Sequence, residues 1–184
     1  MQGSKELSGE YLCLENAALS PRLMNVMPGE DGYPATIEIT LPAAMTVIPF
    51  GASEAEVVAE HGDGTKTWRY ETNRAGGILY AGDYVREEIQ AGGLTIDFYY
   101  GRKHQAVMEA AGAAEAVLAV MDYCAGHYGS LAFGDGERLK LIQSRVAGGG
   151  YAGDGASLLD EADFTAHNLG DADKGGGAAE VMIH

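Results

Sequence analysis

Apolar and polar side chains alternate along much of the first hundred residues. Ala35-Thr36-Ile37-Glu38-Ile39-Thr40-Leu41 sets small or apolar positions against polar ones, the period-two signature of a half-buried strand. Pro42 punctuates it, and Ala44-Met45-Thr46-Val47-Ile48 resumes. Glu56–Glu60 and Lys66–Glu71 flank His61-Gly62-Asp63-Gly64-Thr65, whose Gly-Asp-Gly accepts positive φ and predicts a hairpin. Gly77–Tyr80, Asp83–Glu88 and Leu94–Tyr100 add three further strands. An antiparallel sheet or sandwich is the natural assembly of these segments.

The period changes at His104. Val107, Ala111, Ala114, Leu118, Met121, Ala125 and Tyr128 step by four and three, which predicts one long helix over Gln105–Tyr128. Its few charges, Glu109, Glu115 and Asp122, point to burial over most of its surface. Arg138–Gln143 then alternates as a strand, a glycine-rich stretch covers 148–155, and Ser157-Leu158-Leu159 forms a short apolar run. Ala178–His184 has the pattern of an apolar helix.

Composition narrows the function classes. The 184 residues carry 12 Lys and Arg against 27 Asp and Glu, a formal charge of −15. That balance argues against nucleic acid and anionic membrane as partners, because both select a cationic face. No stretch reaches the length of a membrane span, and no apolar core of a secretory signal follows Met1–Glu6. Cys13 and Cys124 are expected to be small buried residues, with one disulfide left open. The 27 glycines are about twice the usual share.

Several chemistries can be weighed on these residues. Gly148-Gly149-Gly150-Tyr151-Ala152-Gly153 has dinucleotide-fingerprint spacing, but a strand rather than a helix is expected to follow. It lacks the Lys-Ser/Thr of a phosphate loop. An exposed edge that pairs with an extended peptide is the more useful reading of this stretch. Asp154, Asp160, Glu161, Asp163, Asp171 and Asp173 hold no complete calcium-loop pattern and read as a solvated acidic loop. His61, His104, His127 and His167 stand at no metal-ligand spacing and read as surface or capping residues.

The order of parts resembles the aminopeptidase-N-like zinc metallopeptidases, the gluzincin group that includes leukotriene hydrolase. The resemblance runs from about Ala35 onward. Leu79–Tyr84 and Ile96–Tyr100 are similar to the strands that close that family's N-terminal domain. Gln105–Tyr128 is similar to the helix that opens its catalytic domain, and Arg138–Gln143 to the strand before its substrate strand. Val181-Met182-Ile183-His184 looks like the lead-in and first histidine of the His-Glu-x-x-His helix.

The resemblance implies an α+β fold. Residues 1–103 would be the C-terminal part of a β-rich, sandwich-like N-terminal domain, and 104–184 the incomplete beginning of a thermolysin-like catalytic domain. It implies zinc in the full-length parent, with His184 as the one ligand candidate in this chain. The catalytic Glu and the other ligands would lie beyond it, so the fragment alone is expected to carry no catalytic residue, hold no cofactor and be inactive. Placing Glu161 on the family's glutamate after the substrate strand puts Gly149, Gly150, Tyr151, Ala152 and Gly153 on the Gly-x-Met-Glu-Asn motif. Ala152 then replaces the glutamate that grips the substrate amine, while backbone pairing can survive. The implied partner is a peptide substrate or a protein.

The resemblance also implies that such a module can be joined to membrane-transport segments, as in bacterial members of that family. A solvent-exposed, extracytoplasmic part of a membrane-anchored parent is therefore one expectation. The competing readings are a noncatalytic peptide- or protein-binding module and a structural spacer between membrane segments.

Overall fold

The computed structural model describes residues 5–7, 10–14, 34–51, 53–72, 79–129, 138–145, 151–153 and 155–161. The helix expected over Ala178–His184, His167 and the acidic stretch from 162 onward lie outside the described residues. The chain forms two compact units, Met1–Asp83 and Tyr84–His184.

Among the described residues, the first unit contains two antiparallel sheets. One orders β1 (Lys5–Leu7), β2 (Tyr11–Leu14), β7 (Leu79–Gly82) and β4 (Thr46–Pro49) as β1-β2-β7-β4. The other orders β3 (Ala35–Pro42), β6 (Thr65–Thr72) and β5 (Glu56–Glu60) as β3-β6-β5. The alternation read in the sequence is the one observed, since every second residue of β3 is exposed. The half-buried positions Ile37, Ile39 and Leu41 pack with Trp68 and Tyr70 against Leu12, Val47, Leu79 and Ala81 of the other sheet. This shared core makes the unit a sandwich.

The expected hairpin joins β5 to β6. Asp63 accepts hydrogen bonds from the Thr65 backbone at 3.0 Å and hydroxyl at 2.7 Å. Those two bonds hold the Asp63 carboxyl below its ordinary value. His61 is bound to this turn and strand by its Nε2, 2.8 Å from Thr67 Oγ1.

Among the described residues, the second unit contains a mixed five-stranded sheet in the order β11-β12-β10-β9-β8. Its strands are β8 (Tyr84–Ala91), β9 (Leu94–Gly101), β10 (Arg138–Ser144), β11 (Tyr151–Gly153) and β12 (Ala156–Asp160). β9, β10 and β12 run parallel, whereas β8 and β11 are antiparallel to their neighbours. β9 is buried at Leu94 and continuously from Ile96 to Tyr100, as a strand covered on both faces should be. Because β9 pairs with β10, the compact units divide at Asp83/Tyr84 rather than between 103 and 104.

The long helix expected over Gln105–Tyr128 is two helices, α1 (Gln105–Ala111) and α2 (Ala113–Tyr128). Gly112 separates them at φ +64, a left-handed conformation that closes α1 and is open to glycine at little cost. The break resets the apolar stripe. Met108, Ala113, Val117 and Met121 face the core with Ile96, Phe98, Leu139, Leu141 and Leu159, while Leu118 and Tyr128 are exposed. Of the seam expected from the spacing, Met121 is the fully buried member. Cys13 and Cys124 are both buried, and no disulfide joins them.

Candidate functional site

Tyr151–Gly153, within the glycine-rich stretch, form one arm of a hairpin in the second unit. β11 pairs antiparallel with β12 through Tyr151↔Leu158, Ala152↔Ser157 and Gly153↔Ala156. Gly155 turns the chain at φ +78, and its carbonyl accepts a hydrogen bond from Lys140 N at 3.0 Å. β11 is the end strand of the sheet among the described residues. One side of such a strand keeps backbone N–H and C=O groups unclaimed by its own sheet. Of the five residues expected to meet a substrate, Tyr151, Ala152 and Gly153 are therefore on an edge strand, whereas Gly149 and Gly150 lie outside the described residues. His184, the expected metal ligand, lies outside them as well.

A polar cluster gathers where the parallel strands β9, β10 and β12 end. Gly101 closes β9, the single 3-10 turn Arg102–His104 follows it, and Glu161 follows β12. His104 Nε2 donates to Glu161 Oε1 at 2.5 Å, and Lys103 Nζ lies 2.5 Å from the same oxygen. Arg145 Nε stands 3.6 Å from the other oxygen, Oε2. Burial works to raise the Glu161 carboxyl, but the bonds from His104 and Lys103 outweigh it and hold the group below its ordinary 4.5. Gln143 completes the cluster. Its Oε1 accepts a hydrogen bond from Gly101 N at 2.9 Å, and its backbone carbonyl accepts one from the Tyr84 hydroxyl at 2.8 Å.

Two further features flank the sheet. On the face opposite the helices, Asp97 is fully buried and held by Arg86 at 2.8 Å and Arg138 at 2.5 Å. Arg138 also reaches Glu88 at 3.5 Å, and the Arg86 guanidinium lies 5.9 Å from the centre of the Tyr99 ring. On the helix face, a shallow cleft of about 200 Å³ is lined by Glu87, Met108, Glu109, Ala113, Ala114 and Glu115. The Tyr100 hydroxyl donates to Glu87 there, and burial together with that carboxylate pushes the phenol pKa up. Among the described residues no three His, Cys, Asp or Glu side chains gather as a metal site.

No family model and no curated protein sequence matches the chain.

Sequence reading missed the cluster. His104 read as a helix-start residue, yet its partner Glu161 is 57 positions away. Gln143 did carry a signal. It shares the alternation of Leu139 and Leu141, so an amide stood where the pattern asked for an apolar side chain.

Proposed function

We propose that the chain is part of a zinc-metallopeptidase-like protein, and that its second unit offers β11 as an edge with which an extended peptide pairs. The observation that carries this reading is the position of Tyr151–Gly153. Among the described residues, Tyr151–Gly153 of the glycine-rich segment form an antiparallel end strand beside the parallel strands β12, β10 and β9. Addition of a strand to such an edge supplies affinity through main-chain hydrogen bonds and needs no particular side chain. The thermolysin-like assignment adds the order of parts: helices between β9 and β10, then β10, the glycine-rich strand and β12.

Among the described residues no three His, Cys, Asp or Glu side chains gather, and His184, the one ligand candidate, lies outside them. The fragment's contribution to peptide hydrolysis in the parent would be to align the substrate backbone. A second reading, a noncatalytic peptide- or protein-binding module, is favoured by Ala152, which offers no carboxylate to a substrate amine. The parent gene separates the two. Codons for Glu-x-x-His after His184 support the peptidase, and their absence removes it while leaving the binding module.

Peptide pairing itself is tested by titrating short unstructured peptides against the wild type, Tyr151→Pro and Ala152→Pro. Successive residues of a strand direct their N–H groups to opposite sides, so one of the two prolines removes an outward donor. That variant should lose binding by about tenfold or more while its Tm stays near the wild type's. Equal binding by all three proteins, or no binding by the wild type, contradicts the proposal.

A further inference from the structure

The solvent face of α2 is unusually apolar for a surface helix. Leu118, Tyr123 and Tyr128 are 37%, 51% and 74% exposed, and they are three of the five large apolar side chains exposed among the described residues. A surface helix normally turns charged side chains outward. Apart from His127, α2 carries only Glu115 and Asp122. Asp122 is engaged, since its Oδ1 accepts a hydrogen bond from Gly92 N at 3.0 Å. A contiguous exposed apolar surface of this kind marks contact with another protein.

One ridge of that face has an order that complements its own reverse. Glu115, Ala119, Tyr123 and His127 stand four residues apart, so they form a continuous row along the helix, and all four are exposed. Reversed, the row reads His127, Tyr123, Ala119, Glu115. Two copies laid antiparallel about a two-fold axis at the middle of the row therefore set acid against imidazole and phenol ring against methyl group, each twice. The aromatic half is ordered before any partner arrives. Tyr123 and His127 stack at 3.9 Å, and His127 Nδ1 donates to the Tyr123 carbonyl at 2.9 Å. With Nδ1 fixed as the donor, Nε2 is the nitrogen that takes up a proton and can then face a carboxylate. Beside the row Gly126 is exposed, and a Cβ there would meet nothing within 4 Å. Small residues at Ala119 and Gly126 allow a close interaxial approach.

We propose that α2 is a self-association surface, which pairs antiparallel with α2 of a second copy of this chain. A second copy is the occupant that the row itself specifies, because each contact across a two-fold interface must be matched by its reciprocal. In the pair, Tyr123 lies over the partner's Ala119 and His127 Nε2 donates to the partner's Glu115. The antiparallel arrangement also sets the negative end of each helix dipole beside the positive end of the other. Among the described residues the His127 ring is flanked by Tyr123 and Tyr128, so the partner's Glu115 is the charged group it meets. The chain's charge of −15 opposes encounter at long range, and physiological salt screens it. α2 contains no residue of β11, so this surface stands independently of the peptide-pairing reading.

The test is sedimentation velocity of the full chain over a range of concentrations, in about 0.15 M salt at about pH 6. The wild type should pass from monomer to dimer by about 1 mM, as suits an interface of one helix pair. Glu115→Lys should weaken the dimer about tenfold, because each reversed charge pair occurs twice. His127→Glu should weaken it similarly, and the two substitutions together should restore the wild-type affinity to within about threefold. Ala119→Arg puts a good helix former at an exposed position, so it should abolish association while Tm stays near the wild type's. Association of the wild type should also tighten from about pH 8 to about pH 6, by more than that of the double variant, as the imidazole gains its proton. A wild type that stays monomeric, a dimer that Ala119→Arg leaves intact, a double variant no tighter than the single ones, or equal pH dependence in both proteins overturns the proposal.

Discussion

Asp97 and Glu161 are both carboxylates held by more than one cation, but they respond differently to change. Asp97 is fully buried, whereas the Arg86 and Arg138 side chains that hold it are 45% and 41% exposed. The arginines can turn to water if the aspartate is lost; the aspartate has nowhere to go if they are. Asp97→Ala should therefore cost about 1–3 kcal/mol. The Arg86→Met/Arg138→Met double variant should cost about 3–5 kcal/mol, because it strands a buried charge. Urea unfolding measures both, and a smaller loss for the double variant would contradict the assignment. Neither partnership was legible in the sequence. Period-two alternation places Asp97 on a strand, but its arginines are 11 and 41 residues away, and it is the pairing of β8 and β10 beside β9 that brings them in.

Glu161 sets a pH dependence whose sign follows from its lowered pKa. Its contribution to stability is complete above its unfolded-state value near 4.5 and is lost as pH falls through the lower folded value. Wild-type stability should thus fall more steeply than that of Glu161→Gln on acidification below about pH 4.5. Denaturation midpoints of both proteins across that range measure the difference. Parallel curves would show that Lys103 and His104 do not favour the charged form.

At the scale of elements, the strands were more legible than the helices. A half-buried strand announces itself residue by residue, and β3 follows the alternation that foretold it, whereas β9 and β10 form where strands were expected but are buried along most of their length. Helical spacing carried no mark of the break, because Gly112 fits a continuous helical pattern as well as a left-handed cap. The change of phase at that residue explains why Val117 rather than Leu118 enters the core. Substituting Gly112 should be costly for the same reason. A Cβ there would carry φ +64 and lie 3.3 Å from Glu115 Oε2. Gly112→Ala should lose about 1–2 kcal/mol of stability by urea unfolding. A neutral or stabilising effect would indicate a straight helix through this point.

For the molecule as a whole, composition and alternation foretold a β-rich α+β chain, and the sandwich of the first unit follows from them. The mixed sheet of the second unit was not readable in the same way. Parallel pairing joins strands far apart in sequence, so β9 looked like the end of the first domain although it sits inside the second unit's sheet. The charge of −15 bears on encounter rather than fold. If peptides pair with this chain, cationic ones should associate faster than anionic ones of equal length, and added salt should shrink the difference. Stopped-flow rates at two salt concentrations would measure this, and equal rates would exclude steering.

The central claim is that Tyr151–Gly153 is an edge to which a peptide adds as a strand. Backbone amide hydrogen exchange, with and without a saturating unstructured peptide, addresses it most directly. Strand addition predicts slower exchange for an outward-facing amide within 151–153, with exchange in β9 and β10 unchanged. Exchange at 151–153 that stays the same while the peptide is bound would contradict it.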